Sequence, residues 1–196
     1  MSSEMIEIVR MMDKEELNTQ LALQCAPLLA GLKISNLLII CKANTSDVFA
    51  LFANTQISCT IVCETAEKVT FLLYDRKLLQ AYLAKREVAK LFLDAGYQSM
   101  DLDEIFREFY VRYTAYMHTG MAFPHEMGAL LGYPIDDITG FIKNNGKKFL
   151  HVGYWKVYGN LDETLQLFEQ FNQATERIMK EVSRGRSVQS ILAAQR

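Results

Sequence analysis

The segment ISCTIVCETAEKVTFLLYD, residues 57–75, decides the fold class of this chain. Its two apolar runs, 57–63 and 68–75, are rich in β-branched and aromatic residues, and the polar link ETAE separates them. Two such runs around a short polar loop predict a β-hairpin. Because a hairpin pairs its strands antiparallel, we expect a largely antiparallel sheet.

Two further strands are predicted, one before and one after this hairpin in the sequence. Residues 35–43, SNLLIICKA, have the continuous apolar run of a buried strand. Residues 148–159, KFLHVGYWKVYG, alternate in the manner of a strand and carry large side chains on both faces. We therefore expect 148–158 to join the same sheet, which would have about four strands.

Helices are predicted over most of the remaining chain. Capping-box patterns begin at Asp13, Asp101 and Asn160, each with a Glu three residues later and apolar residues at helical spacing beyond it. Residues 75–95 should form two short helices that meet near Lys85, where the phase of the apolar positions breaks. About four strands and several helices in irregular order predict an α+β fold.

Length and composition fit one domain over residues 1–196, with its core at about 13–182 and a loose C-terminal tail at 183–196. Half of the residues are apolar, and the net charge is −2 with both signs scattered along the chain. Without a basic stripe or polybasic cluster, neither nucleic acid nor a membrane is an expected partner. The sequence names no small-molecule or protein partner and leaves oligomerisation open. The charged N-terminus is unlike a signal peptide, which predicts a cytoplasmic location.

All four cysteines, Cys25, Cys41, Cys59 and Cys63, are predicted to be reduced thiols, because no secretory signal is evident. Cys59 and Cys63 lie on the same face of a predicted strand, at a separation of roughly 13 Å. That distance is too long for a disulfide or for a shared metal ion. We interpret Cys41, Cys59 and Cys63 as ordinary buried cysteines.

Residues 123–158, FPHEMGALLGYPIDDITGFIKNNGKKFLHVGYWKVY, concentrate the residue types that build functional sites. They include two of the three prolines, two of the three histidines, the only tryptophan and five of the ten glycines. No arrangement in the segment matches a motif that names a reaction. The glycines do not form a phosphate-binding loop after a strand, which disfavours a nucleotide enzyme.

Cys25 is the thiol with the most distinctive surroundings. Pro27 is a favoured first residue of a helix, which would place Cys25 beside free backbone amides that favour a thiolate. Lys33 would add positive charge if the chain folds back. Alternatively, Cys25 continues the apolar stripe of Leu17 and Leu21 and is buried in the core.

His125 and Glu126 follow Pro124 at a predicted helix start. They are not part of an HExxH metal motif, because position 129 is alanine. His125 has a functional interpretation as an acid, a base or a ligand. The alternative is a structural histidine bonded to a backbone carbonyl.

Four residues further along are candidates for ligand binding: Tyr133, Asp137, Trp155 and Lys156. An acid in the first turn of a helix usually only complements the helix dipole, which is the alternative for Asp137. Trp155 is expected in the core or in a pocket wall. Lys156 lies on the opposite face of the predicted strand, from which it could reach water or a carboxylate.

The patterns HEMGALLGYPIDDITGFIKNNG (125–146), GYWKVYGN (153–160) and CAPLLAGLKISNLL (25–38) together resemble a family of short proteins of anaerobic bacteria, known as domain of unknown function 3793. The resemblance covers about residues 21–171. It implies an association with iron uptake and flavodoxin genes, and no assigned activity. The positions that it singles out are Cys25, Lys33, Asn36, His125, Glu126, Tyr133, Asp137, Trp155 and Lys156.

Three hypotheses for function follow. The first is a small enzyme with a Cys/His thiolate site, in which Cys25, His125 and Glu126 are catalytic. The remaining positions, Lys33, Asn36, Tyr133, Asp137, Trp155 and Lys156, would bind the substrate. The second is a metal-, haem- or flavin-binding protein linked to iron metabolism, and the third is a non-catalytic interaction module.

Overall fold

The computed structural model describes residues 3–194 and confirms the predicted α+β class. The chain divides into two compact units: unit 1 comprises Met1–Arg76 and Glu169–Arg196, and unit 2 comprises Lys77–Phe168. The prediction of one domain over the whole length stays a prediction.

Unit 1 is built around a three-stranded antiparallel sheet in the order β1-β3-β2. Its strands are β1 (Ser35–Cys41), β2 (Ile57–Glu64) and β3 (Lys68–Asp75). The hairpin predicted from residues 57–75 is present as the β2–β3 pair, with a register shift between Ile61 and Cys63. β3 is the central strand, and its apolar residues from Val69 to Leu73 are fully buried.

Helices complete unit 1. They are α1 (Ser3–Met11), α2 (Leu17–Leu29), α3 (Thr45–Phe52) after a 3-10 turn at Lys42–Asn44, the later part of α9 (Leu161–Ser183), and α10 (Val188–Ala193). The core contains α2, the sheet, α9 and α10, with fully buried members such as Leu21, Leu38, Phe71, Ile178 and Val188.

The two ends of this unit differ from the sequence predictions. The prediction that Asp13 caps a helix is wrong, because α2 begins at Leu17 and the carboxylate of Glu16 accepts the N–H of Thr19 at 2.8 Å. The prediction of a loose C-terminal tail is wrong for residues 188–193, because Val188 and Ile191 are buried in the core. The side chain of Asn18 also accepts the N–H of Val188 at 2.8 Å.

Unit 2 is mainly helical. It contains α4 (Arg76–Leu83, from Lys77 on), α5 (Arg86–Asp94), α6 (Leu102–Thr119), α7 (Met127–Leu130), α8 (Ile135–Lys143) and the first part of α9. Two sequence predictions are confirmed: Lys85 separates α4 from α5, and the carboxylate of Asp101 caps α6 by accepting two backbone N–H groups.

Residues 148–158 do not join the three-stranded sheet, so that prediction is wrong. They form a separate two-stranded hairpin of β4 (His151–Val152) and β5 (Lys156–Val157). The physical reason is the competition for backbone donors. The N–H groups of Tyr158 and Gly159, which would continue a strand ladder, are bonded to the carboxylate of Asp137.

Candidate functional site

Cys25 is a buried core thiol in unit 1. It lies inside α2 rather than before a helix start, because α2 continues through Pro27 to Leu29. The thiol is fully buried and donates to the carbonyl of Leu37 at 3.4 Å. Burial raises the pKa of Cys25 to about 12, since a thiolate would lose its hydration there. The prediction of a lowered pKa at a helix start is therefore wrong.

Lys33 and Asn36 lie near Cys25 in sequence, and they also belong to unit 1. Burial lowers the pKa of Lys33 to about 8, although the negative charge that Cys25 would carry opposes this shift. Asn36 donates to the carbonyl of Gln24 at 2.8 Å. The side-chain amide of Gln24 in turn pairs with both backbone groups of Ile39, at 2.9 and 3.0 Å. Asn36 therefore helps α2 to cover the outer edge of β1.

The other cysteines differ in exposure. Cys63 is buried, as predicted, but Cys59 is only half-buried and Cys41 is exposed. The interpretation of Cys41 as a buried cysteine is wrong because it lies at the end of β1, where the chain leaves the sheet.

Glu126 is a buried carboxylate of unit 2 with two partners. The hydroxyl of Tyr97 donates to it at 3.0 Å, and the guanidinium of Arg112 lies 3.8 Å away. Arg112 also lies over the Tyr97 ring and pairs with Glu108 at 2.8 Å. Burial and the negative charge of Glu126 raise the pKa of Tyr97. This network fixes the start of α7 against α6, which is a structural role.

His125 lies in the turn before α7, in a cluster of aromatic rings. Its imidazole is 5.6 Å from the ring of Phe123 and 5.6 Å from that of Phe141. Phe123 in turn contacts Tyr116 edge-on at 5.2 Å. His125 and Cys25 belong to different units, and a catalytic site shared between them stays a prediction.

Asp137 is the buried anchor of the β4–β5 hairpin. Its carboxylate is 3% exposed and accepts the indole N–H of Trp155 at 2.7 Å. It also accepts the backbone N–H groups of Tyr158 at 2.6 Å and Gly159 at 2.8 Å. The interpretation of Asp137 as a mere surface group of a helix start is therefore wrong. It joins α8 to the hairpin.

Trp155 and Tyr133 lie beneath the hairpin. The indole of Trp155 stacks on Tyr133 at 4.7 Å and meets Phe168 edge-on at 4.6 Å. Burial raises the pKa of Tyr133 to about 12. Trp155 is buried, in agreement with the expected place in the core or in a pocket wall.

Lys156 points away from Trp155, as predicted, and its ammonium lies close to two aromatic rings. Its ammonium donates to the carbonyl of Gly146 at 2.8 Å and lies 5.0 Å from the Phe149 ring and 5.5 Å from the Phe141 ring. Phe141 is also the ring that contacts His125. The hairpin, the end of α8 and the turn of His125 are thus linked by direct contacts.

A lysine–apolar surface results on this part of unit 2. We define it by the exposed apolar residues and the lysines between Asp137 and Asp162, of which only Lys156 is half-buried; the set is Ile142, Lys143, Lys147, Lys148, Phe149, Leu150, Val152, Tyr154 and Lys156. Residues 138–161 contain no Asp, Glu or Arg. Four of the apolar side chains are 39–57% exposed: Phe149, Leu150, Val152 and Tyr154. Such a cluster of exposed apolar groups is unusual on a protein surface and typical of binding sites.

Most of this surface was not predicted from the sequence. Lys156 was a candidate but the other three lysines were not, because they are spaced along the segment and the charge of the whole chain is balanced. The readable signal is the absence of acids between Asp137 and Asp162.

Two properties of the described residues bear on the earlier hypotheses. Within residues 3–194, no group of three or more His, Cys, Asp or Glu side chains is arranged to hold a metal ion. In the same part of the chain, no helix is both long and apolar enough to cross a membrane.

The fold and this surface define an α+β protein with an anchored, basic and apolar hairpin. The chain belongs to the family described as "Protein of unknown function (DUF3793)", whose model matches residues 21–192. Comparisons with curated proteins and with solved structures found no match.

Proposed function

We propose that this protein is a non-catalytic binding module for amphipathic anions, by which we mean partners that present an apolar part beside negative charge. One observation carries the proposal: four lysines and five exposed apolar side chains occupy a stretch without a single acid, in a chain of net charge −2. The apolar groups would bury surface on binding, and the lysines would attract the negative charge.

The construction of the hairpin supports a binding role. The hairpin does not depend on a partner for its shape, because Asp137 accepts one hydrogen bond from the Trp155 indole in the turn and two from the backbone of Tyr158 and Gly159 after β5. A surface that is held in place before binding loses less conformational freedom when the partner arrives.

A thiolate enzyme is the weaker alternative. A nucleophilic cysteine needs a thiolate that a substrate can reach, whereas Cys25 is fully buried and burial raises its pKa to about 12. We also propose that the protein works in the cytoplasm, since Cys25, Cys41 and Cys59 are thiols rather than disulfides.

The probe for this proposal is 1-anilinonaphthalene-8-sulfonate, a small molecule with an apolar ring system and one sulfonate. We expect saturable binding of the probe to the folded protein, and the increase in probe fluorescence measures this binding. Removing two lysines by Lys147→Ser and Lys148→Asn should raise the dissociation constant about tenfold, since each exposed charge pair contributes up to about 1 kcal/mol. Asn is chosen at position 148 because Lys148 has a positive φ of 58°.

The control removes the same charge elsewhere in unit 2, by Lys77→Ser and Lys85→Asn, and should leave the dissociation constant unchanged. Circular dichroism checks that every variant is folded, since loosened proteins also bind this probe. The proposal would be contradicted if both double-lysine variants lost affinity for the probe equally, or if the unchanged protein showed no saturable binding.

A further inference from the structure

An exposed apolar segment, residues 149–154, has the composition of a shallow membrane anchor. It runs from the residues before β4 into the hairpin turn, and its exposed side chains, Phe149, Leu150, Val152 and Tyr154, are two aromatic and two aliphatic groups within six consecutive positions. Aromatic and aliphatic groups next to lysines are the usual composition of segments that lie in the bilayer interface. From this composition, and resting on the proposed function, we infer that the partner is the surface of an anionic phospholipid bilayer.

Part of the backbone of residues 149–154 is hydrogen-bonded within the hairpin, which lowers the cost of leaving water. The N–H of Leu150 bonds to the carbonyl of Val157 at 2.8 Å, and that of Gly153 bonds to the carbonyl of Trp155 at 3.1 Å. His151 and Val152 pair with Val157 and Lys156. Unpaired backbone groups are costly away from water, so pairing within the hairpin favours insertion of its apolar side chains below the lipid phosphates.

The choice of basic residue favours a bilayer over a protein partner. The surface contains lysines only, and residues 138–161 contain no arginine. Protein–protein interfaces are enriched in arginine and depleted of lysine. Lysine has a long apolar stem, which can lie along an apolar surface while the ammonium stays at the level of the phosphates.

The positions of the lysines fit the same geometry. Lys147 and Lys148 directly precede Phe149 in the sequence, and Lys143 ends α8. These three side chains are exposed, so they can reach lipid phosphates while the apolar segment enters the interface. Attachment of this kind is peripheral, in agreement with the lack of a membrane-crossing helix within residues 3–194.

Whole-protein co-sedimentation with sucrose-loaded vesicles tests the inference. The protein should sediment with vesicles of equal parts phosphatidylglycerol and phosphatidylcholine, and not with phosphatidylcholine alone. Added salt should weaken the association, because it screens the attraction between lysines and lipid. Lys147→Ser with Lys148→Asn should lower the partition coefficient about 25-fold, at roughly fivefold per lysine.

A second pair of variants tests the apolar contribution. Leu150→Ser with Val152→Ser should also weaken sedimentation with the anionic vesicles. The matched control is Leu93→Ser with Val111→Ser, which changes side chains of similar exposure, 55% and 64%, on helices of the same unit. That control, like Lys77→Ser with Lys85→Asn, should sediment as the unchanged protein does.

Insertion of the apolar segment is measured independently by Leu150→Trp in a Trp155→Phe background, where the new side chain is the only tryptophan. Its emission should shift to the blue with anionic vesicles and be quenched by brominated lipid, whereas Leu93→Trp should show neither change. Equal sedimentation with neutral and anionic vesicles, or equal losses in the test and control pairs, would overturn the inference. If the sulfonate probe binds through Lys147 and Lys148 but the vesicles do not sediment the protein, the proposed function stands and only the membrane inference fails. If neither the sulfonate probe nor the vesicles bind, both the proposed function and the membrane inference are wrong.

Discussion

Asp137 provides the most quantitative test of how the hairpin is held. The change is Asp137→Asn, which keeps the shape of the side chain and replaces one carboxylate oxygen by an NH2 group. The remaining oxygen can still accept the N–H groups of Tyr158 and Gly159, now without a negative charge. The new NH2 group then faces the indole N–H of Trp155, so that two donors meet where the carboxylate now accepts at 2.7 Å.

The expected loss of unfolding free energy follows from these contacts. A hydrogen bond to a charged group contributes about 1.5–3 kcal/mol, and a buried donor left without an acceptor costs about 1–3 kcal/mol. Because the two backbone bonds are weakened rather than removed, we expect a total loss of about 2–4 kcal/mol. With a urea m-value of about 2 kcal/mol/M, the unfolding midpoint should fall by about 1–2 M.

The assay is urea unfolding followed by the fluorescence of Trp155, which is the only tryptophan and therefore reports on unit 2. The control is Asp136→Asn, which neutralises the neighbouring, exposed acid in the same helix turn and should cost well under about 1 kcal/mol. The double variant Asp137→Asn with Trp155→Phe is monitored by circular dichroism. Its loss of unfolding free energy should be smaller than the sum of the losses of the two single variants, since phenylalanine has no N–H to leave unpaired. If Asp137→Asn is no more destabilising than Asp136→Asn, the hairpin is not held by this carboxylate.

Two further predictions concern burial and close packing. Cys25 should stay unmodified by iodoacetamide in the folded protein while the exposed Cys41 reacts. The pKa of Cys25 is about 12 in the folded protein and about 8.5 in the unfolded chain, so the thiol ionises first in the unfolded chain as the pH rises above about 8.5. Ionisation stabilises the unfolded chain, and Cys25→Ala should therefore reduce the loss of stability between about pH 8 and pH 10. Rapid labelling of folded Cys25 would contradict this. Gly140→Ala should destabilise unit 2 by about 1–3 kcal/mol in spite of the better helix propensity of alanine, because the new Cβ would lie 2.5 Å from Cβ of Tyr158. Thermal unfolding measures it, with Thr139→Ala on the exposed side of α8 as the control, and an increase in stability would show that the contact relaxes freely.

The local elements of the fold were largely predictable. The β2–β3 hairpin, the break at Lys85 and the cap at Asp101 are present as expected, because each depends on residues that are close in sequence. Periodicity, turn chemistry and capping act over a few residues, so they can be read without knowing the tertiary neighbours.

The wrong cap at Asp13 is a local error, but the two failures that matter for the candidate sites involve partners that are distant in sequence. Residues 148–158 look like a strand, but Asp137 takes the backbone donors at their end. Cys25 looks like a thiol at a helix start, but α2 continues past Pro27 and packs Cys25 against β1. In neither case does the local pattern specify which distant group competes for the backbone or excludes water.

The same division holds for the candidate site. The sequence by itself determined the α+β class, the family and the acid-free composition of residues 138–161, because these are properties of the order of residues. Only the tertiary structure decided that Phe149, Leu150, Val152 and Tyr154 are exposed together and that Asp137 is buried as their anchor. Exposure depends on which side chains find cover, and that outcome is settled by packing between segments far apart in the chain.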